Sequence, residues 1–303
     1  VTLQYMGTRG TVKEATDFNP EADAQKLKAA MKGIGTDESA IIAIIAHRSI
    51  AQRQQIKMVY KRDFGKDLDE DLKSELSGQF EKVVTGLLKT APVYDAYELR
   101  NAIKGAGTDE ACLLEILASR SNAEIKALTA AYSQEYGKVL EEDICGDTSG
   151  MFKRVLVSLL TAGRDECTTV DEALAKKDAK EMYDAGEARW GTDEDKFLTI
   201  LCIRNRSHLL RGIHGNTGSC VVKVQCVKSK PAFFAERLHK SMKGLGTTDS
   251  ILIRVMVSRC EIDMLDIKTE FLKMYGKTLH SFIKGDTSGH YGKILLELCG
   301  PEK

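Results

Sequence analysis

The 303-residue chain carries 44 Lys+Arg against 44 Asp+Glu, so its formal net charge is zero. That balance argues against a nucleic-acid binder, which shows a net basic footprint. With 43% hydrophobic and 29% charged residues the chain reads as a folded globular protein, not a disordered one.

Four prolines, roughly a quarter of the ~5% average, and 6% aromatic residues disfavour many short strands and predict helices. The apolar run Ile41–Ala46 stops at His47-Arg48, far short of the ~20 residues a bilayer span needs. No leader peptide is read at the N terminus. The eight cysteines are scattered singly, without a Cys-x-x-Cys, and are expected to be reduced, as in an intracellular protein.

Self-comparison is the most informative step, because a fixed period determines architecture. After an N-terminal segment (1–19), Pro20 opens a first helix that leads into Met31-Lys32-Gly33-Ile34-Gly35-Thr36-Asp37-Glu38. A stripe of Ile41, Ile42, Ile44 and Ile45 then marks one face of a second helix. Ser49-Ile50-Ala51-Gln52 reads as a capping box, and Glu75-Leu76-Ser77-Gly78 introduces a final apolar helix.

The same order returns from Pro92. Ile103-Lys104-Gly105-Ala106-Gly107-Thr108-Asp109-Glu110 is followed by Leu113, Leu114, Ile116 and Leu117, by Ser121–Glu124, and by Asp147-Thr148-Ser149-Gly150. A linker spans 163–170. The third copy is looser, with Ala188-Arg189-Trp190-Gly191-Thr192-Asp193-Glu194 before the stripe Phe197, Leu198, Ile200 and Leu201. The fourth runs from Pro231 through Met242-Lys243-Gly244-Leu245-Gly246-Thr247-Thr248-Asp249 and the stripe Leu252, Ile253, Val255 and Met256. It ends on Asp286-Thr287-Ser288-Gly289, while Cys260 replaces the capping serine.

Thr36, Thr108, Thr192 and Thr247 fit as N-caps. Arg48, Arg120, Arg204 and Arg259 align at the helix ends, where a structural role is expected. The fold class is therefore all-α: four modules of about five short helices at 20–90, 91–162, 171–230 and 231–303, the third shortened.

The third copy departs from the period. Gly35 to Pro92 is 57 residues, but Gly191 to Pro231 is 40, so 17 are missing, and the expected acid position is Pro231 itself. Val221–Val227 is a candidate remnant of the final helix, with Gly212–Cys220 standing in for two lost ones. A splice variant, a gene-model error and real divergence all fit this pattern.

A Gly-x-Gly-Thr loop between helices can be a plain C-cap followed by an N-cap. It is no P-loop, for no Gly-Lys-Ser/Thr follows. It is no dinucleotide fingerprint, since a helix precedes it. Asp67–Asp71 lacks the glycine and terminal glutamate of an EF-hand. No Ser/His/Asp or Cys/His set repeats, so no catalytic residue is assigned and an enzyme is not expected.

One correlation raises the loop above a pair of caps. An acid stands 40 residues after the second loop glycine in three modules: Glu75 after Gly35, Asp147 after Gly107, Asp286 after Gly246. Glycine-rich backbone can turn several carbonyls to one point, and a remote carboxylate can close the shell. Such hard oxygen ligands suit calcium. One carboxylate against a divalent ion leaves a charge of about +1 and open positions for a phosphate oxygen. Ion and anionic lipid would then bind with positive linkage.

These repeated motifs resemble the annexin family over essentially residues 11–300. The resemblance implies an all-helical curved disc that docks on acidic phospholipid membranes of the phosphatidylserine kind when calcium rises. The protein would be cytoplasmic at rest, with vesicle association or exocytosis as the consequence and a homo-oligomer on the membrane as a further expectation.

By the same resemblance the carbonyls of Met31, Gly33 and Gly35 with Glu75 form one calcium site. Ile103, Gly105, Gly107 and Asp147 form a second, and Met242, Gly244, Gly246 and Asp286 that of the fourth module. Thr36 and Glu38 are weaker metal candidates. Gly186, Arg189 and Gly191 of the third module are expected to leave the shell open. The resemblance also implies a polar central passage touching Asp95, Glu115, Arg120 and Arg259, against which stands a buried salt-bridge network. The alternative function is a helical-repeat scaffold that binds a protein partner.

Overall fold

In the first module the helix signals at α1 and α3 act where the pattern puts them. A computed structural model describes residues 8–33, 35–105, 107–186, 200, 202–213, 226, 228–244 and 246–302. Helix α1 (Pro20–Ala30) starts on Pro20, with the Asn19 side chain accepting from Ala22 N at its N-cap. α2 (Glu38–Ile45) buries all four isoleucines of its stripe. α3 (Ile50–Phe64) opens on the reciprocal Ser49–Gln52 capping box and closes on left-handed Gly65. Two short helices follow, α4 (Leu68–Glu75) and α5 (Gly78–Leu87).

The second module repeats this with α6 (Ala91–Ile103), α7 (Glu110–Ser119), α8 (Asn122–Tyr136), α9 (Leu140–Asp147) and α10 (Gly150–Leu160). The Ser121–Glu124 box again opens its third helix. From the third module come α11 (Glu172–Gly186) and α12 (Arg206–Ile213). The fourth supplies α13 (Lys230–Met242), α14 (Asp249–Arg259), α15 (Met264–Tyr275), α16 (Leu279–Asp286) and α17 (Gly289–Cys299). All regular structure among the described residues is helical.

The chain forms two compact units, Val1–Tyr94 with Phe234–Lys303, and Asp95–Phe233. In the first, Thr11 N donates to Cys260 O at 2.8 Å and Leu265 N to Arg9 O at 3.0 Å, so the N-terminal segment is fastened to the fourth module. Fully buried Arg53 of α3 donates to Ile45 O, Leu87 O and Glu261 Oε1, joining the first module to the fourth. In the second unit, residues 163–170 are held by Asn122, which donates to Arg164 O, and by Asn205, which donates to Asp165.

The aligned arginines have a common purpose. In three modules each grips, with two guanidinium nitrogens, an aspartate about 25 residues upstream: Arg48–Asp23, Arg120–Asp95 and Arg204–Asp178. The clamp ties the loop-leading helix to the end of the next one. In the fourth module Phe234 occupies the aspartate position. Arg259 stacks over its ring at 4.7 Å and pairs instead with Asp263. A cation over an aromatic face recovers part of the lost attraction. Asp263 in turn becomes the N-cap of α15, so that cap stands three residues after Cys260, whose buried thiol cannot replace the serine hydroxyl.

A second repeated contact changes its chemistry in the fourth module. Tyr60 donates to Asp71 and Tyr132 to Asp143, and these acids also take Lys28 and Arg100. Burial and then the Asp143 bond push the Tyr132 hydroxyl up to about 12. Against burial, the bonds from Tyr60 and Tyr132 hold Asp71 and Asp143 below the ordinary carboxylate range. The matching positions in the fourth module are His239, Phe271 and Phe282, a ring cluster in which His239 stacks on Tyr275 at 3.7 Å.

Seven of the eight cysteines are described, and these seven form no disulfide. The three aspartates of Asp67–Asp71 are absorbed structurally: Asp67 caps α4, Asp69 pairs with Lys57, and Asp71 binds Tyr60. That explains why an acidic run appears there without an ion loop.

The Arg120–Asp95 pair is the most deeply buried clamp, with side chains 5% and 3% exposed. Asp95→Ala would orphan a buried guanidinium and is expected to cost about 3–5 kcal/mol. Asp95→Ala with Arg120→Met should cost less than the single change, as chemical denaturation will measure.

A loop and a distant carboxylate meet in three modules

Each loop of modules one, two and four is a closed bulge. Its neck is pinned by one backbone bond: Asp37 N to Ala30 O at 2.9 Å, Asp109 N to Ala102 O at 2.9 Å, and Thr248 N to Ser241 O at 2.7 Å. Within each bulge both glycines have positive φ: 110° and 92° at Gly33 and Gly35, 146° and 103° at Gly105 and Gly107, 125° and 94° at Gly244 and Gly246. A Cβ at any of these six meets no heavy atom within 4 Å. Glycine is therefore needed for the backbone angle, not for room.

The remote acids come to these loops. Thr36 Oγ1 donates to Glu75 Oε2 at 3.3 Å. Thr108 donates to Asp147 Oδ2, and also to Asp147 O at 3.1 Å. Thr247 donates to Asp286 Oδ2, and to Asp286 O at 3.3 Å. All three acids lie at the last residue of a short helix, α4, α9 or α16, whose end is set by the following extended residue. Glu75 and Asp147 are exposed, while Asp286 is half-buried.

The N-caps differ from the sequence expectation. Asp37 and Asp109, not Thr36 and Thr108, accept the cap bonds, from Ala40 N and Cys112 N at 2.9 Å. In the fourth module the cap is Thr248 rather than Thr247. In modules one and two a carboxylate one residue nearer the helix takes the free amide and leaves the threonine hydroxyl for the distant acid, whereas Thr248 makes no side-chain cap bond. Thr192 lies outside the described residues.

Among the weaker candidates, Thr36 meets Glu75, while Glu38 stands 3.8 Å from His290 Nδ1. Asp249, the counterpart of Glu38 in the fourth module, accepts from Tyr291 at 2.8 Å. Burial and then that bond raise the tyrosine's pKa. Gly186 ends α11, whereas Arg189 and Gly191 lie outside the described residues, as does most of 212–227.

Each of the four residues expected at a polar passage has its own local surroundings. Asp95 and Arg120 clamp one another, Arg259 pairs with Asp263, and Glu115 is buried in α7. Sequence reasoning missed Asp23, Asp178 and Asp263 as partners of the aligned arginines. For Asp23 and Asp178 the spacing of about 25 residues was the available signal, whereas Asp263 stands four residues after Arg259, outside that spacing.

The donor chemistry fits a hard cation. Every side-chain atom paired across these loops is oxygen, and the glycine angles give a cradle that L side chains rarely allow. Among the described residues no three or more His, Cys, Asp or Glu side chains stand together as a metal cluster. An ion at these loops would therefore draw on main-chain oxygens and a single carboxylate, a set suited to calcium.

Comparison with known proteins agrees with the repeat. The Annexin family model matches residues 22–87, 94–159, 177–211 and 233–298, and the chain belongs to the annexin family. The third match spans 35 residues where the others span 66. The chain is similar to annexin A4 of Mus musculus, 59% identical over 311 aligned residues that cover 96% of this chain and 98% of the relative. Its fold is similar to that of the solved structure of annexin III, with a TM-score of 0.95, 45% identity and 99% of both chains covered. It is also similar to calcium-bound annexin (Sm)1, with a TM-score of 0.84, 32% identity, and 99% of this chain and 97% of that one covered.

Since the Cβ space at Gly246 is open, Gly246→Ala should cost only about 1–2 kcal/mol of backbone strain. It is expected to weaken calcium binding at the fourth loop far more than it lowers Tm in chelator, as calorimetric calcium titration will read.

Proposed function

We propose that the protein binds calcium at the loops of modules one, two and four and, through the ion, acidic phospholipid surfaces. The observation that carries this is the threefold meeting of a glycine bulge with an acid 39 residues past the loop threonine. Similarity to a calcium-bound annexin structure supports the same reading.

The carbonyls of Met31, Gly33 and Gly35 with Glu75 hold the first ion. Those of Ile103, Gly105 and Gly107 with Asp147 hold the second, and those of Met242, Gly244 and Gly246 with Asp286 the one in module four. When bound, calcium supplies positive charge and open coordination positions that a lipid phosphate oxygen fills. The loops contribute one negative side chain each, so ion and anionic headgroup reinforce one another, and several sites on one chain add avidity.

The third module holds no ion in this reading, because its acid position is Pro231 and its family match is about half length. Among the described residues no helix is long and apolar enough to cross a membrane, which suits docking at the surface. Recruitment from the cytoplasm on a calcium rise, and vesicle association leading to exocytosis, are the proposed consequences. The chain acts by binding and has no proposed catalytic role.

Co-sedimentation with phosphatidylserine vesicles tests this. Wild type should pellet with calcium and stay in the supernatant with chelator. Glu75→Gln and Asp286→Asn should each raise the calcium midpoint severalfold, and the triple variant with Asp147→Asn should need roughly a hundredfold more calcium. Equal midpoints in all variants would instead favour a scaffold whose loops are only caps.

A further inference from the structure

The loop threonines stand out once the N-caps are assigned one residue later. A threonine hydroxyl not needed by its helix could face solvent, yet Thr36, Thr108 and Thr247 all donate to the acid at the end of α4, α9 or α16. The three contacts are unequal. Thr108 and Thr247 each reach both the carboxylate and the main-chain carbonyl of their aspartate. Thr36 reaches only Oε2 of Glu75, at 3.3 Å, and glutamate has one more rotatable bond to be fixed.

We propose that Thr36, Thr108 and Thr247 are positioning residues that latch the distant acid onto its glycine loop before calcium arrives, firmly in modules two and four and loosely in module one, so that module one fills last. This rests on the calcium reading above and adds to it the residue that preorganises each site. The hydroxyl occupies one carboxylate oxygen and fixes the side chain beside the loop, so less rotamer freedom is lost on binding. A hydrogen bond to a charged group is worth more than a neutral one, and its loss should appear in affinity because the carboxylate itself stays exposed or half-buried and solvated.

The test uses the full chain in two backgrounds. In Glu75→Gln/Asp147→Asn, only module four keeps its acid. There Thr247→Val and Thr247→Ala should each raise the calcium midpoint for pelleting with phosphatidylserine vesicles roughly tenfold. Thr247→Ser should stay within about twofold, because serine restores the hydroxyl. Melting in chelator should be unchanged across the series, while the calcium-induced rise in Tm shrinks for the valine and alanine variants alone. In the reverse background, Asp147→Asn/Asp286→Asn, Thr36→Val should shift the midpoint by less than about threefold.

An unshifted midpoint in Thr247→Val and Thr247→Ala, in a background that still needs calcium, would overturn the latch and leave the calcium reading standing. A serine variant as weak as valine would overturn it too, by showing that the side-chain shape matters and the hydroxyl does not. An effect of Thr36→Val as large as that of Thr247→Val would overturn the ranking. A background that pellets without calcium would overturn the functional reading itself, and the latch with it.

Discussion

The structure turns on a contact between residues 39 apart in the chain, a loop threonine hydroxyl on the carboxylate that ends a short helix. Modules one, two and four make it among the described residues, and each uses the same elements: a pinned neck, two glycines at positive φ, and an acid brought back by the intervening helices. The intervening helices thus act as a spacer that fixes where the acid lands. α3, α8 and α15 are the longest helices within that span, and all three end on a left-handed glycine, Gly65, Gly137 and Gly276.

Around this contact the modules solve a second problem, that of holding the loop-leading helix against the next one. Three use a buried aspartate–arginine clamp, and the fourth uses a phenylalanine face with Asp263. A lone buried charge is costly, so arginine remains only where another partner exists. The same module exchanges the Tyr–Asp–cation contact for rings around His239. Its polar framework has been rewritten while its loop and acid keep the shared geometry, which indicates that framework and site vary independently.

Much of this was legible in the sequence because both signals are periodic. The glycine pairs and acids could be counted, and the isoleucine stripe of α2 is buried as its spacing predicts. The prolines lie at the first or second residue of α1, α6 and α13. The exchange of N-cap from Thr36 to Asp37 was not legible, since either residue can cap and only the position of Glu75 decides between them. The Phe234 substitution was hidden for a similar reason: an aspartate missing from a pattern shows nothing until Arg259 is seen to turn to Asp263. The residues of the third module that break the period, Arg189 and Gly191 among them, stand outside the described residues.

The central claim is that main-chain oxygens of a glycine bulge and one far carboxylate form a calcium site. A crystal structure of the full chain grown with calcium, with anomalous scattering used to locate the ions, addresses it directly. The account predicts ions at the bulges of modules one, two and four, each touching Glu75, Asp147 or Asp286, and none at the third. Ions elsewhere with these bulges empty, or ions that leave those three acids untouched, would contradict it.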